Sequence, residues 1–314
     1  MPASNVEIRS ATPDDIDGII DVCSQALGWS DPEFDEALFR WKHLDNAFGQ
    51  SAMLVAVERD EILAVRPFMR WKFASTNQSV TAVRAVDTAT RPDAQGRGLF
   101  RSLTKAGLEQ LRAEDVGFVF NTPNAKSLAG YLKMGWEEAG QVRLGYAMRS
   151  PLSAFPMMRS RTAATKRSIP TPTLGQSIGD ALATIKPEHL ATRDHTLRTA
   201  HTLDTLLWRY DAGPIDYRYL PGPNHTGAVV RLRQRGASKE LVVAELVGKP
   251  TSQDKRAIIG QALRETRADY YLAPARTPRT VAIDRLGPTL AMRKINQQPD
   301  SASMSWQPGD IEVF

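Results

Sequence analysis

The chain has 314 residues, 42% hydrophobic and 24% charged, with a net charge of +5 and one cysteine. That length exceeds what a single core usually fills and points to two domains of ordinary globular composition. No apolar run reaches bilayer length, the opening MPASNVEIRS lacks the basic and apolar regions of a secretory signal, and Cys23 alone cannot form an internal disulfide, so a reducing cytoplasm is expected.

The stretch VEIRSATPDDIDGIIDVCSQAL reads as a short strand followed by a helix. Thr12 suits the N-cap, Pro13 the first helical position, and Asp14 and Asp15 the first turn. Ile16, Ile19, Ile20, Cys23 and Leu27 then recur on one helical face, with Cys23 a packed core thiol. DPEFDEALFRWKHL is a second helix, followed by strand-like runs at Ala52–Val57, Ile62–Phe73 and Val80–Thr90. A helix is predicted from Leu99 to about Arg112, then a buried strand VGFVFNT, a helix in NAKSLAGYLKMGW and a strand in GQVRLGYAMRS.

Residues 151–190 are rich in Ser, Thr and Pro and read as a connector. No acidic residue falls between Ala139 and Gly179, where Arg143, Arg149, Arg159, Arg161, Lys166 and Arg167 lie. Without aromatic interleaving or a nucleic-acid motif, this is a solvated basic stretch rather than a nucleic-acid surface.

Beyond it, residues 191–314 echo the first 150. LFRWKHL returns as LLWRYDA, and Ala147-Met148-Arg149 returns as Ala291-Met292-Arg293. Strands near Tyr217–Leu220, Ala228–Gln234 and Leu241–Val247, a helix near Ser252–Arg267 and the strand DYYLAPA repeat the element order.

The stretch RPDAQGRGLFRSL, residues 91–103, carries chemistry. Gly96 and Gly98 stand where a helix begins, and glycine there lets the backbone turn sharply and lets a ligand approach bare N–H groups. The first N–H donors of a helix lack internal partners and favour negative charge, so the expected occupant is a phosphate. A Rossmann fingerprint would need a third glycine right after the first strand, and a P-loop would need Gly-Lys-Ser/Thr; neither is present. In the second half the corresponding stretch is SQDKRAII, without the glycine pair.

Two motifs of the first 150 residues resemble the GNAT N-acetyltransferase superfamily. One is Gln95-Gly96-Arg97-Gly98-Leu99-Phe100 opening a helix, with Pro92 ahead of it and Phe100 where the family has Gly or Ala. The other is Asn124, Ser127, Tyr131, Gly135 and Trp136. The resemblance implies an α/β (α+β) chain of two tandem GNAT-like domains, each a mixed, mainly antiparallel twisted sheet flanked by helices. It implies a catalytic domain over 1–150, the connector, and a degenerate copy over 191–314.

It further implies acetyl-CoA as co-substrate and no metal. The N–H groups of Gly96 to Phe100 would cradle the pyrophosphate, with Gln95 and Arg97 beside it. Thr88, Ala89 and Thr90 would offer backbone bonds to the pantetheine arm and thioester carbonyl. Tyr131 would protonate the departing thiolate. Asn124 would meet the pantetheine or cap its helix, near Ser127. Many relatives carry a Glu as general base on the strand before the loop, where this chain has Arg84, so Asp87 is the candidate base, either free or bonded to neighbouring N–H groups or Arg84. His43 and Glu36 on the second helix are weaker candidates, His43 reading as a partly buried structural histidine. The expected reaction is N-acetylation of a primary amine, an amino sugar or another small metabolite, with no nucleic acid and no membrane insertion. The rival reading is a non-catalytic acetyl-CoA-binding protein.

Overall fold

The computed structural model describes residues 6–150, 163–190, 194–282 and 287–312. In chain order the first elements are β1 (Glu7–Ser10), α1 (Ile16–Ala26), α2 (Pro32–His43), β2 (Ala52–Glu58) and β3 (Glu61–Ala74). They are followed by β4 (Ser79–Ala85), β5 (Ala89–Thr90), α3 (Leu99–Ala113), β6 (Phe118–Asn121), α4 (Ala125–Lys133) and β7 (Glu137–Gln141). Next come β8 (Leu144–Met148), α5 (Ile178–Leu182), α6 (Pro187–Leu190), β9 (Arg198–Thr199), α7 (Leu203–Tyr210), β10 (Arg218–Pro221) and β11 (Gly227–Arg235). The chain ends with β12 (Ser238–Val247), α8 (Ser252–Thr266), β13 (Tyr270–Pro274), β14 (Val281–Ala282) and β15 (Thr289–Lys294). Among the described residues no helix is long and apolar enough to cross a membrane.

The described residues within Met1–Gly140 and Thr289–Ser303 form one compact unit; those within Gln141–Pro288 and Met304–Val313 form another. In the first, the sheet runs β1-β2-β3-β4-β6-β15-β7, with β5 also paired to β3. Neighbours are antiparallel from β1 to β4, then β4 and β6 are parallel, with Ala82 opposite Phe118 and Arg84 opposite Phe120. A parallel pair needs a crossover, and α3 supplies it.

Alternation along β2 sends Met53 and Val55 to one face and Leu54 and Ala56 to the other, and both faces are covered. Met53, Val55, Val65 and Ala89 pack with Ile19, Val22 and Cys23 of α1 and Phe39 of α2. Leu54, Ala56, Ala64 and Phe68 pack with Leu99, Leu103 and Leu111 of α3. Cys23 is the packed thiol expected, fully buried, and burial pushes its pKa up. Gly107 lets α3 lie directly on the Phe68 ring, since a Cβ there would collide with it.

The second unit has its own sheet, β10-β11-β12-β13-β8-β14, again with a parallel pair, β12 and β13, joined through a helix, α8. Its element order therefore parallels the first. The division at residue 150 does not survive, because the echoing strands change places. β8, which carries Ala147 and Met148, runs antiparallel to β13, whereas β15, which carries Ala291 and Met292, runs antiparallel to β6. Each fills the position beside the strand that follows the crossover helix, but in the unit other than the one its sequence follows. Ladder bonds are made by backbone, and LGYAM and TLAM have similar apolar patterns, so nothing local selects the sheet.

The connector also differs from expectation. Residues 151–162, with Arg159 and Arg161, lie outside the described residues. Of the rest, Ile169 bridges Leu232, Gln176 bridges Tyr219, and Leu174, Ile178 and Leu182 are buried in the second unit. Their hydroxyl-rich surroundings masked a short amphipathic segment. The expected strand Val80–Thr90 is broken into β4 and β5 at Asp87, whose φ of +50° turns the chain.

Candidate active site

The glycine pair turns the chain into α3. Gly96 and Gly98 have φ of +79° and +76°, and Gly98 is the N-cap of α3. Glycine alone enters this region without strain from a side chain. A Cβ on either would meet no described atom within 4 Å, so both face open space. The first helical bonds run from Arg101 and Ser102 N–H to Gly98 O, leaving Leu99 and Phe100 N–H ahead of the ladder. The first turn contains no acidic residue, so the positive end of the dipole is uncompensated from within.

This entrance forms one wall of a cleft of about 530 Å³. Thr88, Ala89, Thr90, Gln95, Gly96, Gly98, Leu99 and Phe100 line it together with Ala26 and Ala94. Arg97 is not in the lining: it pairs with Glu58 at 2.6 Å. The opposite wall is the strand end, fixed by pairing of Ala89 with Val65 and Thr90 with Ala64 on β3. Strand backbone and helix N–H groups thus converge on one cavity, an arrangement suited to an elongated ligand with an anionic end.

Asp87, just before this strand end, is not a free carboxylate. It is ion-paired with the buried Lys42, and its Oδ2 lies 3.0 Å from His43 Nε2. His43 Nδ1 in turn lies 2.8 Å from Ser51 Oγ. Burial opposes charge on Asp87, but Lys42 and His43 outweigh it and hold the carboxyl well below its usual range. Burial holds His43 below its ordinary value. Arg84, the alternative partner considered from sequence, instead donates from Nη2 to Thr122 Oγ1 at 2.9 Å. Asp87 therefore makes a poor proton acceptor near neutral pH, contrary to the expectation of a base.

Asn124 is the N-cap of α4, with Oδ1 accepting from Ser127 N–H at 3.0 Å; the Ser127 hydroxyl donates back to Asn124 O at 3.2 Å. Neither lines the cleft, and the capping role accounts for both. Tyr131, two turns along α4, is buried and does not itself line the cleft; it packs against Phe100, which does. Its ring meets Phe100 edge-on at 5.6 Å and Trp136 at 5.1 Å, and its hydroxyl accepts a hydrogen bond from Arg66 at 2.9 Å.

Arg66 and Lys42 are the participants that sequence reasoning missed. A signal existed for each: Arg66 interrupts the apolar run ILAVRPFM, and Lys42 stands beside His43 at the end of an amphipathic helix. Neither belongs to a motif, and strand or helix periodicity alone does not distinguish a buried cation from a solvated one.

Residues 7–139 match the acetyltransferase (GNAT) domain. Among solved structures, the chain is similar to an Enterococcus faecalis V583 protein described as a probable N-acyltransferase, with a TM-score of 0.63 and 11% identity over 94% of this chain and 74% of that one. A GCN5-related N-acetyltransferase from Anabaena variabilis ATCC 29413 gives 0.61 and 13% over 93% and 73%. One from Kribbella flavida gives 0.56 and 14% over 93% and 72%. No curated protein matches the chain. At these identities the structures speak to fold: a mixed α/β architecture shared with GNAT proteins across both units.

Proposed function

From a GNAT domain over residues 7–139, we propose that the chain is an N-acetyltransferase that moves an acetyl group from acetyl-CoA to a primary amine, an amino sugar or another small metabolite. The observation that carries this reading is the shared cleft. Left-handed glycines and unbonded helix N–H groups form one side, and the strand end Thr88–Thr90 forms the other. The N–H groups from Gly96 to Phe100 receive the pyrophosphate, with Gln95 beside them. The backbone of Thr88, Ala89 and Thr90 runs along the pantetheine arm and places a donor at the thioester oxygen.

Most of the acceleration then comes from holding amine and thioester at reacting distance. The amine nitrogen attacks the carbonyl carbon, a C–N bond forms, and the C–S bond breaks. Tyr131 gives its hydroxyl proton to the departing sulfur and is reprotonated from solvent. The proton released from the new amide nitrogen goes to water. Asp87, held by Lys42 and His43, fixes the turn that presents Thr88 and is not assigned proton abstraction. Asn124 and Ser127 secure the helix that carries Tyr131.

The second unit, lacking the glycine entrance, reads as a degenerate copy, and a cytoplasmic location suits the single buried thiol. The test is thiol release from acetyl-CoA in the presence of glucosamine, spermidine or a lysine peptide. Amine-dependent release supports the proposal. Tight acetyl-CoA binding with no release on any amine identifies a binding protein instead, and absence of binding removes both readings.

A further inference from the structure

Arg66 is fully buried in the middle of β3. Its Nη1 donates to two hydroxyl oxygens, that of Tyr131 at 2.9 Å and that of Thr88. Its Nε and Nη2 have no hydrogen-bond partner among the described residues. In place of a carboxylate, three rings face the guanidinium carbon: Phe68 at 4.8 Å, Phe100 at 5.1 Å and Tyr131 at 5.3 Å from ring centroid to carbon. Phe100, the departure from the family's Gly or Ala, thus has a local role as one wall of an aromatic cage.

Burying a cation without a counter-ion is costly, and ring faces offset only part of that cost. A methionine or leucine at position 66 would pack more favourably. What arginine adds is direction. Guanidinium is a donor with no acceptor capacity, so neither hydroxyl can turn its own proton back toward Arg66. Each must accept from Nη1 and donate elsewhere. Thr88 lines the cleft, and Phe100, which packs on Tyr131, lines it as well. A hydroxyl that accepts from a charged donor also becomes a stronger donor itself.

We propose that Arg66 is a positioning residue that aims the hydroxyl protons of Tyr131 and Thr88 toward the reacting thioester. One nitrogen sets two donors: Tyr131 for the sulfur that leaves and Thr88 for the oxygen that gains charge. The proposal rests on the reading of Tyr131 as the acid. Arg66 touches neither reactant; it acts through the two hydroxyls and through the positive potential it holds behind them.

The test is a double-mutant cycle on the full chain, with acetyl-CoA as donor and whichever of glucosamine, spermidine or a lysine peptide turns over fastest. Arg66→Met should lower kcat about 10²-fold with KM for acetyl-CoA changed less than about threefold. Tyr131→Phe should do the same, and the double variant should be no slower than the worse single one. Arg66→Lys keeps a donor without acceptor capacity and should recover part of the loss; it also serves if the Met variant does not fold. Losses that multiply in the double variant, or native kcat in a folded Arg66 variant while Tyr131→Phe is impaired, overturn the role of Arg66 and leave the acid in place. Native kcat in Tyr131→Phe overturns the acid itself.

Discussion

Thr251 and Asp254 close the N-terminus of α8 on each other. Asp254 Oδ2 accepts from the Thr251 N–H at 2.8 Å and from its hydroxyl at 2.7 Å, while Thr251 Oγ1 accepts from the Asp254 N–H at 3.2 Å. This capping box bonds the Thr251 and Asp254 N–H groups in-chain and puts a carboxylate where the dipole would otherwise attract an anion, whereas α3 has neither a side-chain cap nor an acidic residue in its first turn. The two crossover helices have opposite properties at the same point in their units.

The first prediction is therefore one acetyl-CoA per chain, bound at α3. Calorimetry should give a stoichiometry near one. Gly98→Val should weaken binding more than about tenfold, because the side chain would project into open space ahead of the helix, while left-handed strain costs about 1–2 kcal/mol. Two molecules bound per chain, or unchanged affinity in folded Gly98→Val, would contradict this.

A second prediction concerns the leaving group. If Tyr131 protonates the thiolate, Tyr131→Phe loses rate through kcat, by about 10²-fold, and the loss shrinks when a donor thioester with a more acidic thiol replaces acetyl-CoA. An equal loss with both donors would assign Tyr131 to packing with Phe100 and Trp136.

The glycine entrance was legible in the sequence because a glycine turn at a helix start is local: the residues that make it are contiguous, and spacing reveals them. Helices α1 to α4 were legible for the same reason, since caps and apolar periodicity lie within each segment. The pairing of Asp87 with Lys42 and His43 was not, because the partners are separated by more than forty residues and no periodicity marks them. Arg66 was hidden likewise in a strand whose pattern says only that its neighbours are apolar. The exchange of β8 and β15 was out of reach for a different reason: two strands of similar pattern carry no local information about which ladder they join.

The third prediction follows from the ion pair at Asp87. Asp87→Asn leaves the buried Lys42 uncompensated and should destabilise the protein by about 1–3 kcal/mol, the partial exposure of Asp87 keeping the loss at the low end of buried pairs. Replacing Lys42 by Met in the same chain should recover much of it. Because the folded carboxyl is depressed, its contribution is present above the unfolded value of about 3.9 and is lost as pH falls through the folded one. The gap between wild type and Asp87→Asn should hold from pH 5 to 7, begin to narrow below about pH 4 and close only as pH falls past the folded value. A variant that keeps its stability but loses about 10²-fold or more in kcat would contradict this and make Asp87 the base.

The last prediction lies in the second unit, where Asp310 and Glu245, both buried, share a corner with His201. His201 Nε2 lies 3.0 Å from Glu245 Oε2, which also accepts from the Tyr210 hydroxyl at 3.1 Å. Asp310 accepts from the Thr199 hydroxyl and the Gln307 N–H, each at 2.6 Å. Burial and the nearby Glu245 push Asp310 up to about 6 despite those hydrogen bonds and His201. For His201, burial is outweighed by Glu245 and the value is raised, with Arg209 opposing. Both groups thus hold protons more tightly when folded. Their stabilisation is complete below the unfolded values, about 3.9 and 6.5. It is lost as pH rises, for Asp310 through about 6 and for His201 through its raised folded value. The protein should therefore lose roughly 1–3 kcal/mol between pH 5 and pH 8 at this corner. Asp310→Asn, neutral throughout, should flatten the pH dependence of urea unfolding and equal or exceed wild type in stability at pH 8. Parallel pH profiles for the two proteins would show that Asp310 is ionised throughout and that Thr199 and Gln307 carry the corner.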